Sequence, residues 1–174
     1  MSKKRVIVVG TTADYIEILS ARYPGRCLFI TDPAERGRHP ENNPGAGGEL
    51  LCALDDEAGV VAAVKAHLAA RGLEPSGVAC FDCESLMLAA LVAREIGLPY
   101  PTPESVSLCR SKYATRKRWR EEGVPCPEAA LVRTPGEVVD FFERAGGPVV
   151  MKPLSGSGSE LVTLCRDRTG CERA

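Results

Sequence analysis

The sequence is short of aromatics, at 5% with one Trp, and has only two His, His39 and His67. Neither His sits at a metal-ligand spacing from the single C-x-x-C, Cys80-Phe81-Asp82-Cys83. Zinc sites normally need a second such pair or a matched His, so metal or redox chemistry there is not expected. An excess of one charge is lacking too, since the formal net charge is −1. No basic stretch interleaved with aromatics stands out, and a nucleic-acid surface is not expected. Long hydrophobic runs are missing. The apolar run in MSKKRVIVVG is about five residues, below the roughly seven to fifteen of an export signal. No segment approaches the length of a membrane span. The expected location is the cytoplasm.

Several nucleotide and hydrolase motifs are also missing. No G-x-x-x-x-G-K-[ST], G-x-S-x-G or HExxH occurs, which argues against a Walker P-loop, a serine hydrolase elbow and a zincin helix. Val-Ile-Val-Val-Gly suggests a dinucleotide-binding first strand, but Thr11, Thr12 and Ala13 follow Gly10. The glycine fingerprint therefore fails.

What is present is a chain of 174 residues, 44% hydrophobic and 26% charged, enough for one domain or one and a part. Most of its eight Cys sit singly inside apolar runs such as RCLFI and LLCAL. There Cys acts as a small hydrophobe, and reduced thiols are expected. Strands are predicted over residues 4–10, 27–31, 50–54 and 78–81, with helices capped by Asp14, by Asp55, and by Asp82 or Cys83. Residues 32–48 read as a Pro/Gly/Asn-rich loop. Strands alternating with helices imply an α/β fold with a Rossmann-like parallel sheet. Ligands in such sheets sit beyond the C-terminal strand ends. That places Gly10-Thr11-Thr12, Thr31-Asp32 and Asp82-Cys83-Glu84 on a candidate ligand edge.

Three prolines within Pro99-Tyr100-Pro101-Thr102-Pro103 mark a domain boundary. Two short helices are predicted over 104–110 and 112–122, then a strand over 129–132. Thr134, Pro135 and Glu137 form a capping box ahead of a further helix. Strands over 148–151 and 161–165 flank Lys152 and the run Ser155-Gly156-Ser157-Gly158-Ser159, and another helix is predicted from Asp167. A cation beside a mobile row of backbone N–H groups suits a polyphosphate. A solvent-facing Lys before an ordinary hairpin loop is the plainer reading. Arg116 reads as part of a solvated helix face, Asp82 and Glu84 as caps, and Trp119 as core or inter-domain packing.

The ordered series Ser111-Lys112-Tyr113-Ala114-Thr115-Arg116, Glu122-Gly123-Val124-Pro125-Cys126-Pro127, Gly147-Pro148-Val149-Val150-Met151-Lys152-Pro153 and the Gly/Ser loop resembles the ATP-grasp ligases. The resemblance implies a pre-ATP-grasp domain over 1–102, a helical connector over 103–126 and a partial α+β ATP-grasp lid over 127–174. It implies that Lys112, Lys152, Ser155, Gly156, Ser157, Gly158 and Ser159 contact the phosphates of ATP. It further implies a ligase that joins a small carboxylate to an amine or similar nucleophile through an acyl-phosphate. Magnesium ligands are expected outside this chain, and the lid has three strands of an expected four. By itself the chain is then expected to bind ATP weakly and catalyse nothing. First-domain homodimers are common in the family, and the oligomeric state is left open. The alternative is a non-catalytic α/β module that binds a small molecule or partner. A Rossmann dinucleotide enzyme is weakened by the missing fingerprint.

Overall fold

A computed structural model describes residues 3–41, 43–154, 156 and 158–173. The chain divides into two compact units, residues 1–106 and 107–174.

The first unit is built on strands β1 (Lys4–Val9), β2 (Cys27–Thr31), β3 (Glu49–Leu51) and β4 (Glu74–Cys80), all parallel, in the order β3-β2-β1-β4. Parallel strands require crossover helices, and the unit supplies α1 (Ala13–Arg22), α2 (Pro33–Arg38), α3 (Glu57–Arg71) and α4 (Leu86–Glu95). Alternation along β1 and β2 divides the sheet between two cores. Ile7, Val9, Leu28 and Ile30 pack with Val60, Val64 and Leu68 of α3 and with Leu88, Ala89 and Val92 of α4. Val8 and Phe29 point the other way and pack with Ile16 of α1. The doubly faced parallel sheet is the architecture expected from the near-continuous Val/Ile runs.

Helix starts depart from expectation. Thr12 occupies the N-cap of α1, and Asp14 lies inside the first turn. Asp56, not Asp55, caps α3, its side chain accepting from the Gly59 N–H at 2.9 Å. Ser85 stands at the N-cap of α4, while the Asp82 carboxylate accepts the Ser85 N–H at 2.6 Å. The expected loop at 32–48 contains α2, because Asp32 accepts the Ala34 N–H at 2.8 Å and Pro33 takes the first turn. Arg36 of α2 then makes two hydrogen bonds to the Glu49 carboxylate, at 3.0 and 2.5 Å, tying the helix to the edge strand. Too few apolar residues lie in that stretch to show a helical period, so its only sequence signal was the cap.

Helix α5 (Pro103–Arg110) carries the division between the units. The second unit continues with α6 (Lys112–Glu121), α7 (Pro135–Ala145), β5 (Val149–Met151), β6 (Thr163–Cys165) and α8 (Arg168–Arg173). The capping box at Thr134 and Glu137 forms as read from the sequence, and Gly146 ends α7 in the left-handed region. Val138, Val139, Val149, Cys165 and Cys171 make a small core. The antiparallel pair β5–β6 is a two-stranded sheet. The strand expected over 129–132 does not form: those residues have no ladder partner among the described residues, and a strand exists only by pairing. Val132 is nonetheless packed against the small core.

Candidate functional site

Ser111 caps α6, its hydroxyl accepting the Ala114 N–H at 3.2 Å, so that Lys112 is the first helical residue. The Lys112 backbone N–H donates to the Leu154 carbonyl at 3.3 Å. Its side-chain Nζ donates to the Gly156 carbonyl at 3.1 Å. Helix start and glycine loop are thus tied twice, across 44 residues of chain. An ammonium has three donors, so two remain for an anion.

The loop itself is held in unusual backbone geometry. Gly156 has φ +116°, which a residue with a Cβ rarely adopts. Ser159 and Leu161 have φ +61° and +54°, a left-handed state that costs a non-glycine residue roughly 1–2 kcal/mol. Leu161 is 82% exposed. Strain of this kind is often stored where a loop has to serve a ligand.

Lys152 follows β5 directly and is exposed, with no hydrogen bond or ion pair to any described residue. The structure therefore brings Lys112 to Gly156 and draws neither Lys152, Gly158 nor Ser159 into that contact. Ser155 and Ser157 lie outside the described residues. Two residues not singled out from the sequence belong beside Lys152. Val150 and Leu164 are cross-strand neighbours on the open face of the hairpin, 53% and 46% exposed. Their strand mates Val149 and Cys165 turn into the core. Lys152, two residues beyond Val150, continues the outward alternation. That alternation, Val149-Val150-Met151-Lys152, was the signal that could have found them.

Helix α6 corrects the reading that no basic stretch is interleaved with aromatics. Lys112, Arg116, Lys117, Arg118 and Arg120 alternate there with Tyr113 and Trp119, and none of the helix is buried. Lys117 and Arg118 pair with Glu121 and Glu122, at 3.9 and 2.7 Å. The Arg116 guanidinium lies 4.6 Å from the Trp119 ring centroid, a cation–π contact. Trp119, expected as packing, is 40% exposed.

The strand edge of the first unit spends most of its polar groups on itself. The hydroxyls of Thr11 and Thr31, both buried, are 2.6 Å apart. Asp32 caps α2 and Asp82 braces the start of α4. Gly10, at φ +73°, admits this closure, because a Cβ there would stand 2.1 Å from Ser85 Oγ and 2.2 Å from Asp82 Oδ2. Beside it, the Cys80 thiol donates to the Asp82 carbonyl at 3.2 Å and is pushed up to about 11, chiefly by burial. Such a thiol is protonated at neutral pH and is a poor nucleophile. The Thr12 hydroxyl donates to the Asp14 carboxylate and holds it below its ordinary range. No group of three or more His, Cys, Asp or Glu stands ready for a metal among the described residues. Nor is any helix among them long and apolar enough to cross a membrane.

No family model matches the chain. In sequence it is 33% identical over 81 residues to a D-alanine–D-alanine ligase of Acidovorax ebreus, covering 45% of this chain and 24% of that protein. In structure it is similar to the L-amino acid ligase of Bacillus licheniformis, with a TM-score of 0.70 and 20% identity, over 99% of this chain and 41% of the other. It is also similar to N5-carboxyaminoimidazole synthase of Aspergillus clavatus, in complex with ADP and an aminoimidazole ribonucleotide. That match has a TM-score of 0.65 and 17% identity, over 99% of this chain and 43% of the other. The chain spans a quarter or less of the length of the curated relatives it matches.

Proposed function

We propose that this chain, which belongs with the ATP-grasp ligases in fold and in sequence relatives, binds the phosphates of ATP for a carboxylate–amine ligase. The observation that carries the reading is the bond from Lys112 Nζ to the Gly156 carbonyl, which sets a cation at a helix start against a glycine loop. Triphosphate oxygens would take the free donors of Lys112, the ammonium of Lys152 and N–H groups of the loop over residues 155–159. Val150 and Leu164 offer an apolar platform for the purine alongside. Their exposed faces fit a flat base better than solvent.

In the reaction so assigned, a substrate carboxylate oxygen attacks the terminal phosphorus and the bond to ADP breaks. An amine nitrogen then attacks the acyl carbon of the acyl-phosphate and inorganic phosphate leaves. The two lysines neutralise charge as it shifts onto the bridging oxygen, and the loop limits water at the acyl-phosphate. Magnesium, where present, would supply charge neutralisation on the phosphates. The described residues hold no ligand cluster for it, so no step is assigned to a metal here. On this reading, with no ligand cluster for a metal among the described residues, the chain alone is expected to bind ATP weakly and not to turn it over. A homodimer through the first unit is part of the same reading.

Equilibrium dialysis with labelled ATP tests this. Lys112→Ala and Lys152→Ala should each weaken binding tenfold or more, and a nicotinamide dinucleotide should not compete. Unchanged ATP binding in both variants would refute the assignment.

A further inference from the structure

The face of the sheet that carries α1 is only partly covered. The opposite face has both α3 and α4. On the α1 side, the helix lies over β1 and β2 through Ile16 and Leu19. The strip over β1 and β4 is left open, and β4 presents its smallest side chains there. Register pairs Val6 with Gly77 and Val8 with Ala79, while Val78 and Cys80 turn to the other core. Even a Cβ built on Gly77 would meet nothing nearer than Val6 Cγ2, at 4.0 Å.

The result is a groove of about 480 Å³ floored by the half-buried Val6 and Ala79, with the buried Val8 beneath, and walled by Tyr23 and Phe81. Phe81 is 50% exposed, with its ring centroid 5.1 Å from that of Tyr15. The volume falls within the roughly 300–1,000 Å³ of small-molecule sites, which are mainly apolar with a few polar groups. The charged residues lining it are Arg22 and Arg26, both exposed. Neither guanidinium has a partner among the described residues, and no carboxylate lines the groove. Elsewhere in this unit exposed cations such as Lys65 and Arg38 are paired with Glu95 and Glu35.

We infer that this groove binds a small amphipathic anion, an acyl or aryl carboxylate, with its apolar body over Val6, Ala79 and Phe81 and its head on Arg22 and Arg26. An apolar floor gains by shedding water, and a weakly hydrated guanidinium fork suits a planar carboxylate. A neutral or cationic ligand would leave the two arginines unmatched. The inference is independent of the nucleotide reading, since it uses no residue of the second unit.

Decanoate is a suitable probe, titrated by calorimetry against the full chain. One decanoate should bind per chain, and decyltrimethylammonium, with the same tail and opposite charge, should not. The double variant Arg22→Glu, Arg26→Glu changes only exposed side chains and should lose tenfold or more in decanoate affinity. Ala79→Leu should fill the groove, retain the wild-type melting temperature or raise it, and abolish binding. Equal binding of both detergents, or undiminished decanoate binding in either variant, overturns the inference. So does a wild-type dimer, seen by sedimentation, that these same substitutions dissociate, because the groove would then belong to a second copy.

Discussion

The two units differ in what they do with apolar residues. The first packs one face of a parallel sheet fully under α3 and α4, with Ile7, Val9, Leu28 and Ile30 at 0% exposure, and covers the other in part with α1. The second packs one face of a two-stranded hairpin on α7 and α8 and leaves Val150, Leu154, Leu161 and Leu164 in the open. Isolated exposed hydrophobes need no explanation, but several on one hairpin and its loop mark a surface used for contact. The first unit thus combines a deeply buried core with exposed apolar side chains such as Tyr23 and Phe81 at its rim, while the second has a small core and exposes a larger share of its apolar residues.

The sharpest way to break that contrast is to cut into each unit equally. Ile30→Ala should lower unfolding free energy by about 2–5 kcal/mol, read from a urea midpoint. Leu161→Ser, on an 82% exposed side chain, should change it by no more than about 0.5 kcal/mol. Comparable losses would mean that the loop is a packed element after all. Next in size is Thr134→Ala, which removes one side of the capping box and should cost about 1 kcal/mol.

A further effect concerns pH. Cys80 has its thiol raised to about 11 from 9.0, so the folded state keeps a proton that the unfolded chain loses first. The stability it contributes is complete below pH 9 and is lost as pH rises toward 11. Melting temperature measured over that alkaline window should fall less steeply in Cys80→Val. An unchanged slope would show that the thiol is as accessible in the fold as in the open chain.

The sheet was legible mainly through β1, whose KRVIVV run is nearly pure Val and Ile, and through short apolar runs in β2 and β4 that alternate with helical segments. The capping box at Thr134 was legible because three positions agree. The caps at Thr12, Asp56 and Ser85 were each displaced by one or more residues, since neighbouring Asp, Ser and Thr compete for the same backbone donors. Helix α2 was missed because six residues, PAERGR, carry no apolar period. The strand at 129–132 was overread from propensity, which cannot say whether a partner strand lies alongside. For the proposed site, the cation beside the Gly/Ser run pointed to Lys152 and the loop, while Lys112 entered only through the resemblance to the ATP-grasp ligases. The bond that joins Lys112 to Gly156 spans two distant segments, and no local pattern announces it. The apolar face of Val150 and Leu164 could be read only from the strand period running outward to Lys152, because the run is apolar on both faces until then.

The single Trp of the chain sits on α6, the helix whose first residue is hydrogen-bonded to the glycine loop. Its indole, half open to water and stacked by Arg116, is a native optical probe. Intrinsic emission excited near the red edge would report on this helix and its Arg116 contact in real time, free of any attached dye.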